Sequence, residues 1–136
     1  MNSLEEGDKL QLDFAKIAKI AVKCPDVIPV AVQNADTQEI ILIAYTNAKA
    51  LEKTLATRTA IFWSTSRNEI WEKGKTSGET FEVVDLLVNC EQNSLVYKVR
   101  PRRGGICHTK NKNNSPRNCY YRRINLETRS LENIDP

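Results

Sequence analysis

The residues best suited to chemistry in this chain are three cysteines, Cys90, Cys107 and Cys119, and its single histidine, His108, beside the second of them. Three thiolates can hold a zinc ion and leave a fourth position for water, as a catalytic site needs; a fourth protein ligand would close the site and make it structural. Sixteen residues separate Cys90 from Cys107 and eleven separate Cys107 from Cys119, with no CxxC pair, so spacing alone does not define a zinc site. An imidazole next to a thiolate can coordinate the metal or carry protons to and from its water, although a lone histidine is otherwise an ordinary polar residue. Cys24 lies far from the other three and reads as a small buried hydrophobe.

Two polar connections add groups that suit phosphate. Ser64-Thr65-Ser66-Arg67 gathers hydroxyls, backbone amides and a guanidinium, and Lys73-Gly74-Lys75-Thr76-Ser77-Gly78 repeats the theme without the full pattern of a P-loop. Taken alone, each is more often a plain polar turn. Arg100, Arg102, Arg103, Lys110, Lys112, Arg117, Arg122 and Arg123 place eight positive charges within 24 residues. Such a patch attracts nucleotide phosphates or a nucleic-acid backbone, or is simply solvated.

The elements that must position these groups follow from hydrophobic pattern. A length of 136 residues fits one domain with a modest core, quite in keeping with completion by dimerisation. Leu10, Phe14, Ile17, Ile20 and Ala21 recur three or four apart, predicting an amphipathic helix over 10–22 that Cys24-Pro25 ends. Ile28 to Gln33 and Glu39 to Tyr45 are strands of a hairpin turned by Asn34-Ala35-Asp36-Thr37. Thr46 or Asn47 caps a helix to about Thr57, with Ala48, Leu51, Leu55 and Ala56 as its inward stripe. Further strands are expected at Ala60–Trp63, Glu69–Trp71, Phe81–Val88 and Ser94–Val99. The expected architecture is a single α+β domain over 1–136, with largely antiparallel sheets and two helices. The polar, acidic start and the lack of any apolar run near the roughly 20 residues of a membrane span predict a cytoplasmic protein without a membrane partner. In that compartment the cysteines are thiols, ligands or catalytic groups rather than disulfides.

In order along the chain, Val32-Gln33-Asn34-Ala35-Asp36-Thr37, Ala44-Tyr45, Phe62-Trp63-Ser64-Thr65-Ser66-Arg67, Trp71 to Gly78, Val84-Asp85 and Cys107-His108-Thr109 form a pattern that resembles the phosphoribosyl-AMP cyclohydrolase family of histidine biosynthesis. The resemblance runs from about Phe14 to Cys119. It implies a homodimer that opens the adenine ring of phosphoribosyl-AMP between N1 and C6. Zinc would be held by Cys90 of one subunit with Cys107 and Cys119 of its partner, and His108 would move protons as N1 departs. Ser64, Ser66, Arg67, Lys73, Thr76 and Ser77 would bind the phosphorylated nucleotide substrate, and nucleic acid would not be the partner.

The chain departs from that pattern in several places. The family's magnesium segment, Asp-Cys-Asp-x-Asp, reads Asn89-Cys90-Glu91-Gln92-Asn93 here, and replacing two carboxylates with amides weakens a site for hard Mg²⁺, leaving Glu91 and Asp85 to contribute. Lys110 replaces a glycine at the start of a longer, flexible Cys107–Cys119 loop, Glu79 replaces a histidine, and Thr65 replaces an arginine. These changes open two other readings. One is a paralogue with altered zinc hydrolase or deaminase chemistry, although the H-x-E and P-C-x-x-C signature of zinc deaminases is absent. The other is a non-catalytic, zinc-stabilised dimer that binds a nucleotide or nucleic acid.

Overall fold

A computed structural model of the chain describes residues 3–75, 77–106 and 109–136. The first hairpin forms as its alternation predicts: β1 (Ile28–Asn34) pairs antiparallel with β2 (Ile40–Thr46), and Val30, Val32, Ile41 and Ala44 point to the core. Its turn is built by Asn34, whose Oδ1 accepts from the backbone amides of Asp36 and Thr37 at 2.9 and 3.1 Å.

Of the two candidate caps for the following helix, Asn47 serves: its Oδ1 accepts from the Ala50 amide at 3.0 Å. The helix, spanning Ala48–Thr57, turns a different face inward from the one expected. Ala50 and Thr54 are buried, Leu51 is half-buried, and Ala48, Leu55 and Ala56 face solvent. The reason is polar. Thr54 Oγ1 shares its one hydrogen between the carbonyls of Ala50 and Ile61 and accepts from the Ile61 amide at 3.0 Å, so a threonine staples the helix to the strand after it. With the earlier helices Ser3–Glu6 (α1) and Lys16–Lys23 (α2), this helix is α3.

That next strand, β3 (Ile61–Ser64), forms a two-stranded ribbon with β4 (Glu69–Glu72), and β5 (Phe81–Val88) pairs antiparallel with β6 (Leu95–Pro101). Strand β6 then lies parallel to β1, giving a four-stranded sheet in the order β2-β1-β6-β5. The sheet is therefore mixed, although most pairings are antiparallel as expected. Its single parallel contact arises because the chain leaves β2 through α3 and the β3–β4 ribbon and returns at the far edge. Phe62 of the ribbon stacks on Tyr97 of β6 with centroids 5.7 Å apart, which closes the core over the sheet.

Helix α2 is shorter than predicted, starting at Lys16 rather than Leu10 and ending at Lys23, so Leu10 and Phe14 lie before it, and the expected stripe is not covered. Ile20 is buried, whereas Phe14 is 91% exposed and Ile17 is also exposed. The helical period holds only for Ile17, Ile20 and Ala21, and of these Ile20 alone is buried.

The eight cations do not form one free patch. Arg117 is 3% exposed, donates to Glu6 Oε1 at 2.6 Å and to the Asp135 carbonyl at 2.9 Å, and lies 3.6 Å from the centre of the Tyr121 ring. Arg122 donates to the carbonyls of Leu4 and Gly7, Arg102 to Thr59 and Thr80, and Arg100 pairs with Asp36. With Arg103, which donates to the Ser77 carbonyl at 3.1 Å, five of the eight thus tie segments together. Arg117 and Arg122 anchor α1 against a short C-terminal ribbon, β7 (Arg122–Ile124) with β8 (Leu131–Asn133), and neither α1 nor this ribbon was expected. Among the described residues no helix is long and apolar enough to cross a membrane.

Candidate active site

A cleft of about 500 Å³ opens between the edge of β2, the turn after β4 and the segment that follows β6. Trp71 supplies an aromatic wall, Lys73, Arg103 and Lys110 bring positive charge, and Ser77, Glu79 and Cys119 complete the polar part of the lining. Its size and mixed lining suit a nucleotide-sized ligand.

Local geometry explains how the turn holds its shape. Gly74 adopts φ +75°, and a Cβ there would lie 2.2 Å from the Glu79 backbone, so glycine is required. Lys73 sends Nζ to the carbonyls of Glu79 and Gly105 at 3.1 and 3.4 Å and over the Phe81 ring at 4.5 Å. Glu79 returns a bond: its Oε2 accepts from the Gly105 amide at 2.6 Å. A Cβ at position 105 would meet that same oxygen at 2.1 Å, so a larger residue there would push the Glu79 carboxylate out of this bond. Together Lys73 and Glu79 clamp the segment that leads through Ile106 into Cys107 and His108. Cys107, His108 and Thr76 lie outside the described residues.

Ser64, Ser66 and Arg67 occupy the β3–β4 turn. Ser64 Oγ accepts from the Arg67 amide at 3.3 Å, and Ser64 and Ser66 hydroxyls are 3.3 Å apart. Arg67 shares a shallower depression with Ser77, Trp71 and Gly74, adjoining the main cleft. Cys24 is buried as expected, but it also bonds: its thiol donates to Asn68 Oδ1 at 3.2 Å, and Trp63 Nε1 donates to the same oxygen. Helix α2 is thereby tied to the turn.

The cysteines divide. Cys119 is exposed on the cleft wall, where its amide donates to the Ile41 carbonyl of β2 at 2.8 Å; burial, then the charge of Cys119, raise the pKa of neighbouring Tyr120. Cys90 is an exposed free thiol at the β5–β6 turn. Strands β2 and β5 are the opposite edges of the four-stranded sheet, three strand spacings or about 14 Å apart. Two sulfurs on one zinc, each about 2.3 Å from it, sit roughly 4 Å apart. One chain therefore does not bring Cys90 and Cys119 onto one ion, and among the described residues no three His, Cys, Asp or Glu side chains cluster as a metal site. As soft donors the thiols themselves suit zinc.

The magnesium segment does not fit its ion. Asn89 Oδ1 already accepts from the amides of Asn93 and Ser94, at 2.9 and 3.0 Å, and Asn93 Oδ1 accepts from Asn89 Nδ2. Glu91 is the one carboxylate at the turn, and Asp85, opposite Lys98 and four residues down β5, is about 13 Å away along the strand rather than beside it.

The described part of the long loop before Cys119 is tied by its own hydrogen bonds. Lys110 bridges to Pro116, Asn111 Oδ1 accepts from the amides of Asn113 and Ser115, and Asn111 Nδ2 donates to Asp135. This turn delivers Lys110 to the cleft. Arg103 stands in the sequence only as one of a basic run and Lys110 also as a replacement for a glycine, and pattern alone gives no means of picking the cleft-facing cations out of eight.

Fold and cleft thus define an α+β protein with a cationic, thiol-bearing site of nucleotide size. The model of the phosphoribosyl-AMP cyclohydrolase family matches residues 42–121. A phosphoribosyl-AMP cyclohydrolase of Hyphomonas neptunium is 45% identical over 98 residues, covering 72% of this chain and 70% of that protein. One from Cenarchaeum symbiosum is 41% identical over 99 residues, covering 73% of this chain and 86% of the relative. A histidine biosynthesis bifunctional protein of Thermus thermophilus is 45% identical over 98 residues, which span 72% of this chain but only 43% of that longer protein. The chain belongs to the phosphoribosyl-AMP cyclohydrolase family, a family of hydrolytic enzymes.

Proposed function

We propose that the chain hydrolyses the adenine ring of phosphoribosyl-AMP between N1 and C6, as a step of histidine biosynthesis in the cytoplasm, and that it does so as a zinc-dependent homodimer. The cleft carries this reading: Lys73, Arg103 and Lys110 stand around an aromatic wall and a thiol, in a segment that runs directly into Cys107-His108. Guanidinium and ammonium groups on the rim bind the substrate's phosphates, with Ser64, Ser66, Arg67, Thr76 and Ser77 as further donors. Trp71 offers a face for a base to stack on.

Cys107 and Cys119 of one subunit, with Cys90 of the other, would hold zinc. When bound, zinc lowers the pKa of a coordinated water to about 7 and makes a nucleophile for C6 available at neutral pH. His108 takes up and returns protons as the N1–C6 bond breaks.

Dimerisation is supported by surface as well as by the cysteines. Register aligns Ile43, Ala31, Val96 and Leu87 in one row across the outer face of the sheet. Ile43 and Leu87, at its ends, are 46% and 43% exposed. An apolar row on a second sheet face calls for a cover, as does the bare stripe of α2.

The test is direct. Zinc-loaded protein is expected to open phosphoribosyl-AMP, followed by ultraviolet absorbance, and Cys107→Ala to abolish it. Failure of ring opening with retained zinc would refute the reading, and ammonia release from a nucleotide instead would point to the divergent chemistry.

A further inference from the structure

The β5–β6 turn holds the family's second-cation segment in a form that the hydrogen bonds on its side chains decode. The backbone amides of Asn93 and Ser94 both donate to one atom of the Asn89 side chain, which must therefore be its oxygen. Asn89's nitrogen is then a donor, so the Asn93 atom 2.6 Å from it must be an oxygen. That leaves the Asn93 nitrogen aimed at Glu91 Oε2, 3.1 Å away, which can only accept. The chain Asn89 to Asn93 to Glu91 has a single consistent direction, fixed at one end by two backbone N–H groups and at the other by a carboxylate. The Asn89 oxygen has both lone pairs occupied, and an amide nitrogen is not a ligand for a hard cation.

Carboxylates at 89 and 93 beside Glu91 would remove both side-chain donors and bring three negative groups to the same separations. A divalent cation would be needed to hold them together. The two amides do that work without one.

We infer that in this chain the amides of Asn89 and Asn93 replace the second divalent cation, so that the turn presenting Cys90 is held in its metal-ready shape with no magnesium. Asn89 and Asn93 are positioning residues for Cys90. A single Asn89→Asp change can be partly absorbed if the Asn93 amide turns over, at the expense of its bond to Glu91. The double change cannot, because no side-chain donor remains.

The experiment compares the unaltered chain with Asn89→Asp/Asn93→Asp and with Asn89→Ala, using thermal melting in chelator-treated buffer and in millimolar MgCl₂, with Mn²⁺ binding followed by electron paramagnetic resonance. The unaltered chain is expected to melt at the same temperature with and without Mg²⁺ and to show no saturable Mn²⁺ site that depends on Glu91. The double variant should lose about 4 °C or more in Tm without cation, regain it in Mg²⁺, and bind one Mn²⁺ per chain. Asn89→Ala should lose stability without gaining a cation response. A saturable Mn²⁺ site in the unaltered chain that Glu91→Gln removes would overturn the inference. So would a double variant that melts like the unaltered chain in chelator. These readouts are independent of turnover, so they stand or fall apart from the assigned reaction.

Discussion

The placement of Cys90 and Cys119 on opposite edges of the sheet makes subunit mixing the sharpest test of a shared site. Cys90→Ser and Cys119→Ser should each lose activity and zinc, since each removes one of three ligands from every site. Joined in one dimer they complement: Cys90 of the second variant meets Cys107 and Cys119 of the first, while the other site carries both lesions. Random association of equal amounts makes half the dimers mixed, each with one complete site, so about a quarter of the unaltered activity and zinc content returns. A reciprocal mixture separates the alternatives further. The unaltered chain mixed equally with a Cys90→Ser/Cys119→Ser chain has no complete site in its mixed dimers, and about a quarter of the activity remains. If each site were built within one chain, the first mixture would recover nothing and the second would keep about half. Co-refolding with two affinity tags, activity assay and metal analysis of the purified mixed dimer decide it; a mixed dimer without zinc or activity in the first mixture would refute the geometric reasoning.

Three other outcomes follow from particular contacts. The buried Tyr97 hydroxyl finds no partner at full hydrogen-bond geometry among the described residues: the nearby hydroxyls of Thr46 and Thr54 direct their hydrogens to the carbonyls of Asn47, Ala50 and Ile61 and interact with it only weakly. Tyr97→Phe should therefore stabilise the chain by about 1 kcal/mol in urea titration. Burial also raises the Tyr97 pKa, with Thr46 and Thr54 offsetting part of the rise. Below about pH 10 the phenol is neutral in both states; above it the unfolded chain ionises first, so stability falls as pH rises towards the folded value, and Tyr97→Phe should flatten that fall. Arg117→Met removes a buried charge-assisted bond to Glu6, a bond to the Asp135 carbonyl and the contact with Tyr121, and should cost about 3 kcal/mol, read from the shift in urea midpoint. Glu79→Ala, which frees the Gly105 amide, should lower kcat/KM about tenfold, with Glu79→Gln restoring most of it because an amide oxygen can still accept.

The local parts of the fold were legible because their causes are local. Alternation placed β1, β2, β5 and β6 to within about two residues, and Asn34 and Asn47 acted through bonds to amides two or three positions away. Prediction failed where a distant partner decides. Counting apolar residues put Leu55 inward on α3, but the bond from Thr54 to Ile61, seven residues on, rotates the helix so that a threonine is buried instead. Arg117 read as one more solvated cation, yet its partner Glu6 is 111 residues away. The parallel contact of β1 with β6 had no sequence signature, since it depends on where the crossover returns.

The candidate site divides along the same line. Ordered motifs pointed to Lys73, Ser77 and Cys119, and folding brings those three to one cleft. The resemblance also pointed to Cys90, but folding carries it to the far edge of the sheet, a separation that spacing along a single chain does not reveal. The departures were equally visible as letters but not as physics. Losing two carboxylates around Cys90 looks like damage until the direction of each bond is worked out, whereupon Asn89 and Asn93 form the one arrangement in which both amides are used and Glu91 is satisfied. Glu79 likewise looks like a lost histidine, yet its carboxylate accepts from the Gly105 amide in space that a side chain at 105 would take. Both substitutions come with their complements in place, which is how a site looks when it is maintained by different bonds rather than abandoned.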